Sequence, residues 1–239
     1  MDYKSISVFL PALNEQENIR SCVLSVKKFI LKKFKSYEII VVSSGSTDNT
    51  EEIVRELSKK DQCIKLIRGK DRGYGLALRA GFAASTKDLI FYTDGDNQFK
   101  IEDLDKLLPL LQRFDIVSGY RIKRKDPFMR IFVAAVYNLL IRILFNLNVR
   151  DIDSSFKLFK KNVIADLNLK SKTGLIDAEV LIKASKRGYA IGQVGVNHFP
   201  RRKGQTIYAM GRSNGLAIVK PKVIIDILKE IKTLWTDLR

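Results

Sequence analysis

The sequence predicts an α/β protein in which a mostly parallel sheet is flanked by helices, with an amphipathic helical extension at the C-terminal end. Three observations indicate this class. Strand-like apolar runs alternate with helix-like segments through the first half of the 239 residues. Residues 37–42 (YEIIVV) are apolar without interruption apart from one glutamate, as expected of a strand buried on both faces of a parallel sheet. Residues 222–235 carry apolar side chains on one helical face.

The elements follow in order along the chain. Strands are expected at residues 6–10, 37–42, 64–68, 89–93, 116–118 and 190–196. Asn14 and Glu17 are a plausible capping pair for the first helix, and further helices are expected near 50–59, 74–85, 102–113, 130–147, 175–187 and 222–235. We predict one domain over residues 1–206 and a C-terminal extension over 207–239. Repeated βα units bring ligands to the carboxyl ends of the strands.

The composition narrows the partners. The 43 Lys and Arg against 26 Asp and Glu give a formal net charge of +17, which favours polyanionic partners such as nucleic acid, an anionic membrane face or phosphorylated substrates. Cys22 and Cys63 lack the spacing of metal ligands or of a disulfide framework, which is typical of a reducing compartment. The chain has no signal-peptide pattern and no run of about 18 apolar residues that could span a bilayer.

The most informative motif is FYTDGDNQF, residues 91–99. Asp94 and Asp96 directly follow an apolar strand, and Gly95 between them permits a tight turn. Paired carboxylates of this kind are hard oxygen ligands suited to Mg²⁺ or Mn²⁺, which would also contact a diphosphate. A D-x-D pair is also common in ordinary polar turns. The prediction of a metal site therefore depends on the position of this pair directly after a buried strand.

Three other loops accompany this motif. LPALNE, residues 10–15, follows the first strand where a doubly wound sheet receives a nucleotide, although it could equally be a capped helix start. SSGSTDNT, residues 43–50, offers Asp48 either to a ribose or base or as a helix cap. DRGYGLALRAG, residues 71–81, has small residues that allow a helix to pack closely on the sheet, and is by itself no proof of phosphate binding.

Taken in this order, the motifs resemble family 2 glycosyltransferases, inverting enzymes of the GT-A fold, and within them the dolichyl- or polyprenyl-phosphate sugar synthases. The resemblance extends over residues 5–206 and includes GYRIKRKDPFMR, DIDSSFKLF, IDAEVL and HFPRRKGQT. It implies a GT-A sheet, a nucleotide-sugar donor, a Mg²⁺ or Mn²⁺ cofactor and a polyprenyl phosphate acceptor.

The resemblance also implies roles for individual residues. The nucleotide and donor would be bound by one set, namely Pro11, Asn14, Glu15, Asp48 and Asp94. The metal would be organised by Asp94, Asp96 and Gln98. Catalysis would involve Asp153 near the reacting centre, Arg121 and Arg130 on the acceptor phosphate, and Arg201 or Arg202 closing over the donor phosphates.

One departure from the family leaves the donor base open. The family often has an acidic pair where this chain has Ser43 and Ser44, and an acid there commonly contacts the base. The sequence therefore does not choose between UDP- and GDP-sugars. A smaller departure is Ser155, where glycine or cysteine is usual.

The acceptor has two interpretations. A lipid phosphate is already anionic and attacks without losing a proton, whereas a saccharide hydroxyl, as in envelope polysaccharide synthesis, would need Asp153 as a general base. A nucleotidyltransferase would want a glycine-rich loop with a lysine after the first strand, where this chain has LPALNE. A nucleic-acid-binding module would explain the charge but not the acidic turn, and no nucleic-acid motif is present, so we expect no nucleic-acid partner.

The segment 130–147 (RIFVAAVYNLLIRILFNL) is a candidate interfacial helix. It is apolar except for a stripe of small and polar residues that recurs every four positions, and basic residues precede it, which would suit an anionic membrane surface. Burial between the sheet and the extension is the alternative. We therefore expect a cytoplasmic protein associated peripherally with the inner face of the membrane; the sequence does not disclose its oligomeric state.

Overall fold

The computed structural model describes residues 4–69, 72–122, 128–201, 203 and 221–238. These residues form one seven-stranded sheet with the order β3-β2-β1-β4-β6-β5-β7. The strands are β1 (Ser5–Ala12), β2 (Ser36–Ser43), β3 (Ile64–Arg68), β4 (Leu89–Thr93), β5 (Ile116–Ile122), β6 (Phe156–Lys160) and β7 (Ile191–Asn197). β6 runs antiparallel to β4 and β5, and every other pairing is parallel. The predicted mostly parallel α/β class is confirmed.

Helices cover both faces of the sheet. They are α1 (Ile19–Ile30), α2 (Thr50–Lys60), α3 (Tyr74–Ala84), α4 (Leu104–Leu107), α5 (Phe128–Phe145), α6 (Lys161–Asp166), α7 (Ile176–Lys186) and α8 (Pro221–Asp237). One apolar core lies between the sheet and α1, α2 and α4. The other lies under α3, α5, α7 and α8. The strands are sandwiched between the two cores, which explains the continuously apolar run of residues 39–42 in β2.

Three elements differ from the prediction, the first being the short helix α6 (Lys161–Asp166), where no helix was expected. The helix expected at 102–113 is broken into short 3₁₀ turns on either side of α4, because Pro109 has no N–H to donate and disrupts a continuous helix. β6 was not predicted, because Lys157 in its middle interrupts an otherwise apolar run. The side chain of Lys157 is nevertheless fully buried.

The close packing predicted for α3 is confirmed. A Cβ atom on Gly81 would lie 2.3 Å from the ring of Phe9 on β1, and one on Gly75 would lie 2.6 Å from the backbone of Lys172. Only glycine lets the helix approach the sheet and the loop before α7 so closely. α3 therefore packs directly against β1 and against that loop.

The extension packs on the core through α8. Ile231 and Leu234 are buried, and the ring of Trp235 lies edge-on to Phe145 of α5 at 5.6 Å between ring centroids. The extension therefore docks on the core through these side chains. None of the helices in the described part of the chain has both the length and the apolar character needed to cross a bilayer.

Candidate active site

The carboxyl ends of β1, β2 and β4 meet at one edge of the sheet, and the predicted loops meet there. Asn14 has a positive φ of 56°, so its side chain turns across to the loop after β2. Its Oδ1 accepts a hydrogen bond from the Thr47 amide at 2.8 Å, and its own amide donates to Ser46 Oγ at 3.1 Å. The predicted capping pair with Glu17 is wrong, because α1 begins only at Ile19 and Asn14 is engaged by the neighbouring loop.

Asp48 joins the same two loops. One carboxylate oxygen accepts from the Thr50 amide at 2.9 Å at the start of α2, and the other accepts from the Gln16 amide at 3.0 Å. These hydrogen bonds lower the pKa of Asp48, opposing the effect of its partial burial. Asp48 therefore has the capping role that the sequence offered as one alternative.

The aspartate pair lies in the turn after β4. The Gly95 amide donates to the carbonyl of Pro11 at 3.3 Å, which ties the turn to the end of β1. Asp94 accepts a hydrogen bond from the hydroxyl of Ser155, and Asp96 accepts from the Gln98 amide at 3.0 Å. Burial, and then the neighbouring charge of Asp96, raise the pKa of Asp94 to about 7.

This carboxylate pair fits a divalent cation. Asp94 and Asp96 lie close enough for their negative charges to repel each other, and a bound cation would offset that repulsion. Mg²⁺ is commonly bound through one or two carboxylates, with the remaining ligands from substrate phosphates and water. The described residues contain no cluster of three or more acidic, histidine or cysteine side chains arranged for a metal. Asp94 and Asp96 are the residues of this turn that could hold such a cation.

A loop after β7 lies across this turn. The Phe199 amide donates to the Gln98 carbonyl at 2.7 Å, and the Gln98 side-chain amide donates to the Phe199 carbonyl at 3.0 Å. Arg201 is thereby placed beside two acids: it pairs with Glu15 and lies 3.6 Å from Asp96. Sequence reasoning grouped these residues, and the structure brings them together.

Glu15 is buried in this arrangement. It accepts from the Asn18 side chain at 2.8 Å, and its amide donates to Thr50 Oγ1 at 2.8 Å. Burial raises the pKa of Glu15, and Asn18 and Arg201 oppose that shift. A buried acid that shares its arginine with Asp96 links the first loop electrostatically to the aspartate turn.

The segment before β6 contains Asp153. Burial, followed by the nearby charge of Asp177, raises the pKa of Asp153 to about 7, although Arg121 and Lys157 oppose this shift. Arg121 donates two hydrogen bonds from its guanidinium to Asp151, at 2.8 and 2.7 Å. Arg121 is thus a neighbour of Asp153, with its guanidinium bound side-on to a carboxylate.

Under this segment lies a buried polar network that the sequence did not reveal. Lys157 Nζ lies 2.6 Å from Asp177, 3.0 Å from Tyr92 Oη and 2.9 Å from the Ile152 carbonyl, and it also contacts the Ser154 carbonyl. The two carbonyls flank Asp153 in the chain. The sequence signal for this network is the segment IDAEVL of α7, in which Asp177 and Glu179 stand among apolar residues.

Ser43, at the end of β2, lies beside the acidic side chain of Glu51. Its hydroxyl donates to Glu51 of α2 at 3.0 Å, and Glu51 forms ion pairs with Arg55 and Arg68. A carboxylate therefore stands at the end of β2 although the chain has serine there. Two predicted residues cannot be placed: the side chain of Arg130 and the whole of Arg202 lie outside the described residues.

The chain is similar in sequence to known proteins. Residues 7–167 match the description Glycosyl transferase family 2. A dolichyl-phosphate hexose transferase of Haloferax volcanii is 28% identical over 225 residues, which cover 91% of this chain and 94% of that protein.

Solved structures with the same fold include glucosyl-3-phosphoglycerate synthase from Mycobacterium tuberculosis. Its complex with Mn²⁺, uridine diphosphate and glucosyl-3-phosphoglycerate has a TM-score of 0.69 at 20% identity, covering 98% of this chain and 77% of that one. Its complex with Mg²⁺ and uridine diphosphate has a TM-score of 0.70 at 22% identity, with coverages of 95% and 79%. The fold is GT-A, and the chain belongs to glycosyltransferase family 2.

Proposed function

We propose that the protein transfers a sugar, with inversion, from a UDP- or GDP-sugar to a polyprenyl or dolichyl phosphate at the cytoplasmic face of a membrane. The observation that carries the proposal is the pair Asp94 and Asp96 at the end of β4, with Arg201 beside Asp96. The lipid acceptor is supported by the likeness to the Haloferax volcanii transferase over nearly the whole chain.

The donor would lie across the ends of β1, β2 and β4. Pro11, Asn14, Glu15 and Asp48 line this edge, and the unpaired, buried hydroxyl of Ser44 lies at the end of β2. Asp94 and Asp96 would hold Mg²⁺ or Mn²⁺, with Gln98 in the same turn. The bound cation would offset the negative charge that develops on the leaving diphosphate. Solved structures of the same fold contain Mn²⁺ or Mg²⁺ with uridine diphosphate, which supports this assignment.

The proposed step is a single displacement. An acceptor phosphate oxygen bonds to the anomeric carbon as the bond from that carbon to the nucleoside diphosphate breaks, and the electron pair of the broken bond passes to the diphosphate. Arg201, placed between Glu15 and Asp96, would contact the donor phosphates and exchange a carboxylate partner for a phosphate oxygen. An anionic acceptor needs no strong base, so Asp153 would orient the acceptor or sugar in this reaction.

Arg121 was predicted to bind the acceptor phosphate, and its hydrogen bonds to Asp151 restrict how it could do so. A guanidinium already bound by two hydrogen bonds to one carboxylate would act on an acceptor phosphate mainly through its charge. Arg130 and Arg202 stay candidates for the acceptor and donor phosphates, since both stand in basic segments of the sequence.

The membrane placement rests on α5. One side of this helix buries Ile141 and Phe145 in the core. The opposite side exposes six large apolar side chains, namely Phe132, Val133, Val136, Leu139, Leu140 and Ile143. An exposed apolar face of this size, on a helix that follows a run of basic residues in the sequence and on a protein of net charge +17, suits the boundary between headgroups and acyl chains.

The second candidate function is transfer to a saccharide hydroxyl. It is favoured by the burial of Asp153 and its proximity to Asp177, which raise the pKa of Asp153 to about 7, in the range expected of a general base at neutral pH. A hydroxyl must lose its proton on attack, so this reaction would depend on Asp153 far more strongly.

A labelled-sugar screen tests the proposal. Radiolabelled UDP- and GDP-sugars are incubated with the protein, Mg²⁺ or Mn²⁺, and either polyprenyl phosphate in detergent, an oligosaccharide, or water. The proposal expects label in the lipid fraction only with polyprenyl phosphate. Label in the oligosaccharide without lipid product would support the second candidate, and hydrolysis alone with every donor would contradict both.

A further inference from the structure

A polar cavity lies apart from the aspartate turn. It is an open space of about 410 Å³ between α5, the β5–β7 pair and the loop after α5, and it is lined by Tyr120, Arg142, Asn148, Arg150 and Gln193. Tyr120 and Arg121 are successive residues of β5, so their side chains leave opposite faces of the sheet. The cavity therefore opens on the other face of β5 from the Arg121–Asp151 pair.

The wall of the cavity is held in place by three contacts. Gln193 Oε1 accepts from the Arg150 amide at 2.7 Å, and Gln193 Nε2 donates to the Asn148 carbonyl at 2.9 Å. The guanidinium of Arg150 stacks over the ring of Tyr120, with 4.6 Å between its central carbon and the ring centroid. Stacking on an aromatic face fixes the orientation of an arginine that would otherwise sample many rotamers.

The cavity is strongly cationic. Arg142 and Arg150 both line it, its lining contains no acidic residue, and no described carboxylate is within ion-pair distance of either guanidinium. Two like charges around one space repel each other, and an anion between them removes that repulsion. The planar fork of donors on each guanidinium matches a phosphate group better than a point charge would.

The position of Arg142 indicates where that phosphate comes from. On α5 it lies one turn from Leu139 and next to Ile143, which is 71% exposed, so it stands at the border of the exposed apolar face. With that face at the level of the acyl chains, the cavity would lie at the level of the lipid phosphates.

We propose that Arg142 and Arg150 form a binding site for the phosphate of an anionic phospholipid headgroup. The site is separate from the acceptor phosphate that takes part in the reaction. This proposal rests on the proposed function, since it assumes the membrane placement of α5. The bound headgroup would fix the orientation of the protein on the bilayer.

Vesicle flotation tests the site. Wild type, R142Q/R150Q and R142K/R150K are mixed at physiological salt with vesicles of phosphatidylcholine, with or without phosphatidylglycerol. The expected result is that R142Q/R150Q binds phosphatidylglycerol vesicles at least about tenfold more weakly than wild type, since each basic residue near the surface contributes roughly fivefold. The lysine pair should also bind several-fold more weakly, because it keeps the charge and loses the fork.

A matched control and a melting curve keep the result interpretable. R113Q/K59Q removes the same two charges from exposed positions, one just before β5 at the opposite end of that strand and one on α2, and should float like wild type. Thermal melting followed by circular dichroism checks that every variant is folded.

Two outcomes overturn the proposal. If R142K/R150K floats like wild type, the binding is diffuse attraction of charge and there is no built site. If the glutamine variant binds phosphatidylglycerol normally and raises only the KM for polyprenyl phosphate in neutral vesicles, the cavity belongs to the acceptor. Flotation requires no turnover, and sugar transfer is measured separately in detergent. A failure of the headgroup site can therefore be distinguished from a failure of the proposed sugar transfer.

Discussion

Lys157 Nζ lies 2.6 Å from the carboxylate of Asp177, and both side chains are almost completely buried. The same ammonium group donates to the carbonyls of Ile152 and Ser154, the residues on either side of Asp153. A buried ion pair contributes little net stability compared with apolar side chains of the same shape, but its satisfied hydrogen bonds fix the groups around it. We infer that this lysine positions the segment that carries Asp153.

Removal of the lysine charge tests this inference. Lys157→Met should destabilise the protein by roughly 3 to 5 kcal/mol, because Asp177 is left buried without a counter-charge. Lys157→Met combined with Asp177→Leu should recover most of the free energy of unfolding but not the transfer rate, since the two carbonyls still lack their donor. Denaturant unfolding and kcat are the measurements.

The control for that pair is a surface lysine. Lys33 pairs with Asp105 at 2.7 Å with both side chains substantially exposed, so Lys33→Met should cost about 1 kcal/mol or less. Full activity in the folded Lys157→Met/Asp177→Leu protein would show that the network is structural only.

Asp153→Asn separates the two acceptor classes. With polyprenyl phosphate the variant should keep a substantial part of the wild-type kcat, because the attacking oxygen is already anionic. With a saccharide hydroxyl it should lose about 10²- to 10⁴-fold, the usual contribution of a general base. A loss of the latter size with polyprenyl phosphate would contradict the orienting role that we propose for Asp153.

Asp153→Asn also tests how the stability of the folded protein depends on pH. The folded-state pKa of Asp153 is raised to about 7 from an ordinary value of 3.8, so its favourable contribution is complete below about pH 4 and is lost as the pH rises through 7. Asp153→Asn should therefore gain stability relative to wild type between pH 5 and pH 8, by roughly 2 to 4 kcal/mol. Denaturant melts at the two pH values measure this difference, and a constant difference would contradict it.

Gly81→Ala tests the close approach of α3. In an unconstrained helix this change would stabilise by about 0.5 to 1 kcal/mol. Here the added Cβ would lie 2.3 Å from the Phe9 ring, so we expect a net loss of about 1 to 3 kcal/mol. Ala83→Gly, at an exposed position of the same helix, should cost only about 1 kcal/mol, and thermal melts compare the two.

Much of the fold was predictable because its signals are local. The residues adjacent in sequence are enough to interpret the apolar runs, the glycines and the acidic turn after β4. For example, β4 ends at Thr93 as predicted. β6 was missed for a physical reason: Lys157 is buried only because Asp177, 20 residues later, is folded against it.

The site shows the same division. The aspartate pair and the loops after β1 and β2 could be found from the sequence. That Arg201 pairs with Glu15, 186 residues away in the chain, could not be derived from periodicity or spacing. Likewise, the engagement of Arg121 by Asp151 depends on how the segment before β6 folds back on β5.

The measurement that tests the central claim most directly is metal-dependent sugar transfer by Asp96→Ala, compared with wild type and with Asp105→Ala. Asp105 is an exposed acid on α4, away from the turn. With labelled UDP- or GDP-sugar, polyprenyl phosphate and a Mg²⁺ or Mn²⁺ titration, wild type and Asp105→Ala should form labelled lipid only when the metal is present. Asp96→Ala should remain folded and lose about 10³-fold or more in rate, as expected when charge stabilisation at the leaving group is removed. Metal-dependent transfer at the wild-type rate by Asp96→Ala would contradict the account.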